Sequence, residues 1–194
     1  MELLKERIIE QGVVVSPSVI NVDRFLNHSI DPELMDAIGK AFAGYFQDKG
    51  ITKVITIESS GIAPAVFTAK HLGVPMIFAK KAKPITMRHP LTAIVHSYTK
   101  NTDYTLCAEA TAFSSSDNVL FIDDLLANGQ AFLGIRSLLD QAGAKLGGVG
   151  ICIEKSWQNG HELIDQADVP VCVLASIASM SDQGIVWNTD HETL

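Results

Sequence analysis

The chain has 194 residues, 47% of them hydrophobic and 19% charged, with a formal charge of -7 at pH 7 and a pI near 5.3. A chain of this length suits one core, so a single domain over residues 1–194 is expected, and no tract is biased enough to stay unfolded. The acidic balance argues against a nonspecific nucleic-acid surface, which needs clustered Lys and Arg to neutralise phosphates, and no apolar run approaches a membrane span.

The first segment, MELLKERIIEQG, intersperses charges among apolar residues and lacks the apolar core of a signal peptide. It predicts a short helix over residues 3–11 stopped by Gly12, and a cytoplasmic location is the default expectation. Val13, Val14 and Val15 begin an extended segment that Pro17 ends, and a further apolar stretch covers residues 19–22. Asp31 is placed to cap a helix with Pro32 in its first turn, Leu34, Met35, Ile38, Phe42 and Phe46 on one face, and Gly50 at its end. Residues 53–58 form a β-branched run, followed by Ser59, Ser60 and Gly61 and then a helix to Leu72 that Gly73 closes.

Residues 74–79 read as the next strand, and residues 80–91, with Lys80, Lys81, Lys83, Arg88, Pro84 and Pro90, as a basic mobile loop. Residues 92–98 and 104–110 suit an antiparallel strand pair. After the strand that begins at Val119, a helix is expected over residues 130–142 up to Gly143, then buried strands over residues 146–153 and 169–175. Strands alternating with helices imply an α/β fold, a parallel sheet with helices on both faces. Cys107, Cys152 and Cys172 are odd in number, sit in apolar segments and lack zinc-type spacing, so they read as reduced, buried thiols.

Residues 119–131, VLFIDDLLANGQA, carry the most chemistry. Val119, Leu120, Phe121 and Ile122 fit a strand buried on both faces. Asp123 and Asp124 then stand at its carboxyl end, the edge where open α/β sheets bind ligands. Ala127, Asn128, Gly129, Gln130 and Ala131 follow and lead into a helix whose first amides attract phosphate. An Asn-Gly pair alone would equally make an ordinary turn. The acids, the small-residue loop and the immediate helix together resemble the phosphoribosyl diphosphate (PRPP) motif of the type I phosphoribosyltransferases. That resemblance implies a central parallel sheet flanked by helices, a flexible hood loop and a small N-terminal part covering the base. It gives the ribose hydroxyls to Asp123 and Asp124 and the 5-phosphate to residues 127–131. Mg2+ is implied as cofactor, held through PRPP and water with no direct protein ligand.

Glu58, Ser59, Ser60, Gly61, Ile62 and Ala63 repeat the order of strand, tight loop and helix. A plain capped turn would look the same, but the loop falls where the family binds pyrophosphate, so Ser59, Ser60 and Gly61 are candidates for it. A departing pyrophosphate needs cations that arrive and leave with it, and a loop supplies them best. Lys80, Lys81, Tyr98 and Lys100 are the expected members of the hood.

The acceptor base must be read elsewhere. Glu154, Lys155, Ser156 and Trp157 follow a buried strand at its carboxyl end, where Lys155 can donate to an exocyclic oxygen and Trp157 can lie against a flat ring; a surface Lys and a packing Trp are the alternatives. The resemblance extends through residues 21–35, 51–65, 122–131 and 150–158. It implies xanthine as the base, contacted by Ile20, Asn27, Lys155 and Trp157, with guanine and hypoxanthine as the nearest rivals. Relatives that use those two bases carry a third loop acid where this chain has Ala127, so no loop carboxylate can act at N7. A noncatalytic nucleotide sensor would need an added DNA-binding module, for which there is neither a basic helix-turn-helix nor spare length. A homodimer is expected by resemblance, and beyond the strand at residues 169–175 the segment after Gly160 departs from the family pattern, which leaves the C-terminal contacts open.

Overall fold

The computed structural model describes residues 1–97 and 102–194. In chain order the elements are α1 (Glu2–Gln11), β1 (Val13–Ser16), β2 (Val19–Asn21), a π-type turn (Asp23–Asn27), α2 (Pro32–Phe46), β3 (Lys53–Ile57), α3 (Ile62–Leu72), β4 (Met76–Ala79), β5 (Pro90–Ser97), β6 (Thr102–Glu109), β7 (Asn118–Leu126), α4 (Gln130–Ala142), β8 (Lys145–Lys155), α5 (Gly160–Asp165), β9 (Val171–Ser181) and β10 (Gly184–Trp187). One sheet takes the order β10-β9-β8-β7-β3-β4, parallel throughout except for β10. Among the described residues no helix is long and apolar enough to cross a membrane.

The interior strands lack polar alternation because both of their faces are covered. Leu120 and Ile122 of β7 join a core with Phe25, Met35, Ile38, Phe42 and Phe46, under α1, α2 and α3. Their neighbour Phe121 points the other way, into a core with Phe132, Ile135 and Leu138 of α4 and Val95 and Leu106 of the β5–β6 hairpin. Each such side chain contributes roughly 1.5–3 kcal/mol on burial. These two layers cover both faces of the sheet.

Several boundaries differ from the sequence reading. Asp123 and Asp124 lie within β7 instead of beyond it, because pairing with β8 continues through Leu125 with Ile153 and Leu126 with Glu154. Pairing with β3 has already stopped at Phe121, so the acids stand where one flank of β7 is open. The basic segment after β4 is tethered at both ends. Lys80 exchanges backbone bonds of 2.8 and 2.9 Å with Cys107, and the Glu109 carboxylate accepts from the Arg88 and His89 amides, each at 2.9 Å. The region after Gly160 adds α5 and the antiparallel edge strand β10, which the sequence did not disclose. The C-terminal segment then returns along β9, where the Thr193 amide donates to the Val173 carbonyl at 3.0 Å, and Glu192 pairs with Lys5 of α1 at 2.5 Å.

Candidate active site

The carboxyl edge of β3 and β7 opens into a cleft of about 140 Å³ lined by Ile57, Glu58, Ser59, Ser60, Lys81, Tyr104, Asp123, Asp124 and Ala131. Six of the expected residues, Ser59, Ser60, Lys81, Asp123, Asp124 and Ala131, therefore share one wall. Gly61 is buried just behind the first loop as the residue preceding α3. Ala127, Asn128 and Gly129 form the turn between β7 and α4, with Gln130 as the first residue of that helix. Lys80 is not in the lining, and its ammonium lies 5.2 Å from the centre of the Phe78 ring. Tyr98 and Lys100 lie outside the described residues.

Two helices start at this edge. A helix leaves its first amides without intrahelical partners, and at α2 the Asp31 carboxylate takes two of them, from Glu33 and Leu34. The helices that begin at the cleft, α3 and α4, follow Gly61 and Gly129 and have no such side-chain cap. Gly129 sits at φ 73, the left-handed region that glycine enters freely, which turns β7 sharply into α4. Uncapped amides at a helix start are suited to phosphate oxygens. α5 props this turn from behind, with the Gly160 amide donating to the Ala127 carbonyl at 3.0 Å.

The acid pair is costly to ionise. Burial pushes the Asp123 carboxyl well above the usual carboxylate range, and the neighbouring Asp124 charge adds to it. Burial raises Asp124 as well, against the Asp123 hydrogen bond and the Lys81 charge. Two desolvated carboxylates are oxygen acceptors suited to ligand hydroxyls or to the water shell of a hard divalent cation such as Mg2+. Glu58 and Tyr104 were missed in the sequence. Glu58 accepts from the Lys81 amide at 2.8 Å and so ties the hood to the first loop. Tyr104 comes from β6, far from either loop in sequence, and burial followed by the Asp123 charge raises its phenol. Only the fold could have revealed it.

A second group stands across β8. The Lys155 ammonium donates to the Ser18 carbonyl of the β1–β2 turn at 2.8 Å, bridging the sheet edge to the N-terminal segment. Burial lowers its pKa. Ile20 is buried in the first core, and the Asn27 Oδ1 is buried with no hydrogen-bond partner among the described residues. Trp157 is 39% exposed, which leaves part of its ring open to a ligand.

A parallel α/β sheet that sets an acid pair between two uncapped helix starts has the architecture of the phosphoribosyltransferases. Residues 27–191 match the family described as "Phosphoribosyl transferase domain", and the chain belongs to it. Over almost its whole length it is also similar to curated proteins named xanthine phosphoribosyltransferase. Identity is 53% to the protein from Bacillus licheniformis, covering 93% of this chain and 94% of that one. It is 51% to that of Streptococcus agalactiae, covering 96% and 97%, and 50% to that of Listeria monocytogenes, covering 96% and 98%. Among solved structures, adenine phosphoribosyltransferase from Rhodothermus marinus superposes with a TM-score of 0.74 at 25% identity, covering 91% of this chain and 97% of that one. The Giardia lamblia APRTase complexed with 9-deazaadenine gives 0.71 at 21% identity, covering 88% and 95%, a likeness of fold.

Proposed function

We propose that the protein, as a single domain over residues 1–194, transfers the 5-phosphoribosyl group of PRPP to N9 of xanthine, giving xanthosine 5'-monophosphate and pyrophosphate. The observation that carries the reading is the likeness to xanthine phosphoribosyltransferases at 50–53% identity over 93–96% of the chain. The cleft chemistry agrees with the sugar-phosphate half of the reaction.

In this reading Asp123 and Asp124 accept hydrogen bonds from the ribose hydroxyls, and the amides of residues 127–131 hold the 5-phosphate. The amides of Ser59, Ser60 and Gly61 hold the pyrophosphate, and Lys80, Lys81, Tyr98 and Lys100 are the candidates to offset its charge. Lys155 donates to an exocyclic oxygen of the base, while Asn27, able both to donate and to accept, meets the ring edge between Ile20 and Trp157. Mg2+, carried on PRPP and reached by the acids through water, would offset charge on the leaving group. The N9 lone pair forms the bond to C1 of the ribose, and the C1–oxygen bond breaks with its electrons leaving on pyrophosphate. The chain's contribution is alignment and fixed charge, with no covalent intermediate. Since Ala127 offers no carboxylate at N7, xanthine enters partly ionised, which its acidity permits.

Guanine and hypoxanthine are the second reading, because a Lys155 contact to a 6-oxo group serves all three bases. A homodimer in the cytoplasm, acting on small molecules and not on nucleic acid, completes the proposal. Incubation with xanthine, PRPP and Mg2+, followed by mass spectrometry, is expected to yield one xanthosine monophosphate and one pyrophosphate per xanthine consumed. Absence of the nucleotide would refute the assignment.

A further inference from the structure

On the far side of the phosphate turn, two imidazoles converge on one buried carboxylate. Glu154 is the penultimate residue of β8 and is 1% exposed. His161 Nδ1 lies 2.5 Å from its Oε1, and His191 Nδ1 lies 3.1 Å from its Oε2. The two rings stack with centroids 4.1 Å apart, and one donor atom from each of the three residues falls within 4.8 Å of the others. We infer that Glu154, His161 and His191 bind a divalent transition-metal ion of the zinc type, separate from the cation carried on the sugar phosphate.

Four features carry this. Two imidazole nitrogens and one carboxylate oxygen are a donor set that suits zinc and its neighbours, whereas Mg2+ favours oxygen alone. The ligands come from β8, α5 and the C-terminal segment, so an ion would join three elements that the sheet does not otherwise bind together. The supporting groups of a metal site are also present. Ser176 Oγ donates to Glu154 Oε2, and Asp165 Oδ1 stands 3.6 Å from His161 Nε2, where a carboxylate orients the outer nitrogen of a ligating imidazole. Finally, the His161 and His191 side chains keep 19% and 33% of their surface, which leaves an entry path and an open position for water. Because α5 begins against Ala127, the ion would brace the support of the phosphate turn from behind.

The test uses untagged full-length protein cleared with a chelator. Calorimetric titration with Zn2+ is expected to saturate at one ion per chain with micromolar or tighter affinity, and Mg2+ is expected to give no matching heat. Zn2+ at ~100 times its Kd should raise the melting temperature by roughly 5–10 °C. Co2+ should give the visible bands of a nitrogen–oxygen site without thiolate charge transfer. His161→Gln and His191→Gln, which preserve a hydrogen-bond donor to Glu154, should each weaken Zn2+ binding at least tenfold. Should either variant misfold, the Co2+ spectrum of the unaltered protein decides. Failure to saturate at one equivalent, affinity unchanged in the folded double variant, or a thiolate band from the cysteines would overturn the assignment.

Discussion

Gly61→Ala exposes how tightly the first phosphate loop is fitted to the sheet. Gly61 has φ -70, which any residue can adopt, so the substitution brings no backbone strain. A Cβ there would instead stand 2.1 Å from the Thr56 Oγ1, more than 1 Å short of ordinary van der Waals contact, while the Thr56 Cβ and Ile57 carbonyl lie at a tolerable 3.4 Å. Thr56 is fully buried on β3 and cannot swing into solvent. Either the core accepts the push, at about 1–3 kcal/mol for overpacking, or residues 59–61 shift by about 1 Å, a misplacement able to cost ~100-fold in rate. Thermal melting and steady-state kcat/KM for PRPP separate the two responses. Because Thr56 Oγ1 has no hydrogen-bond partner among the described residues, Thr56→Ala should be mild and, in the double variant, should restore most of what Gly61→Ala loses. Wild-type behaviour of Gly61→Ala, or additive losses in the double variant, would refute the steric account.

Asp124→Asn, with its fold checked by circular dichroism, should lower kcat/KM for PRPP by ~10- to 100-fold through loss of charged hydrogen bonds to ribose; unchanged kinetics would remove it from the site. Asp123→Asn should do the opposite to stability. Burial raises the folded pKa of Asp123, so the native state holds this proton more tightly than the unfolded chain. The free protein loses stability as pH climbs from about 3.9, the unfolded value, through the raised folded one. The variant should therefore melt higher than the parent at pH 8 and alike at pH 4, and a gap that persists at pH 4 would contradict the buried-charge argument. Lys155→Met should raise KM for xanthine about tenfold through one lost charged hydrogen bond, with KM for PRPP nearly unchanged; equal effects on both would place the residue elsewhere.

The parallel sheet was legible because burial on both faces strips strands such as residues 119–122 of polar alternation. The helix at Asp31 was legible because its cap, its Pro32 and its apolar face are all local signals. The two loops could be found for the same reason, each being a short stretch that runs from strand to turn to helix. What stayed hidden depends on contacts distant in sequence. Tyr104 reaches the cleft through a hairpin, Glu58 is recruited by the Lys81 amide, and Lys155 meets Ser18 across the chain. β10 and α5 escaped notice because they are short, and β10 is an edge strand with exposed Val186. The end of β7 was misjudged since Asp123 and Asp124 are polar, yet the ladder to β8 carries the strand past them.

The choice of base is decided by kcat/KM for xanthine, guanine, hypoxanthine and adenine measured side by side with saturating PRPP and Mg2+. Xanthine is expected to be highest, with guanine and hypoxanthine slower through their shared 6-oxo group and adenine, which lacks that oxygen for Lys155, slowest. Turnover of guanine or hypoxanthine faster than xanthine would contradict the assignment of xanthine as the base.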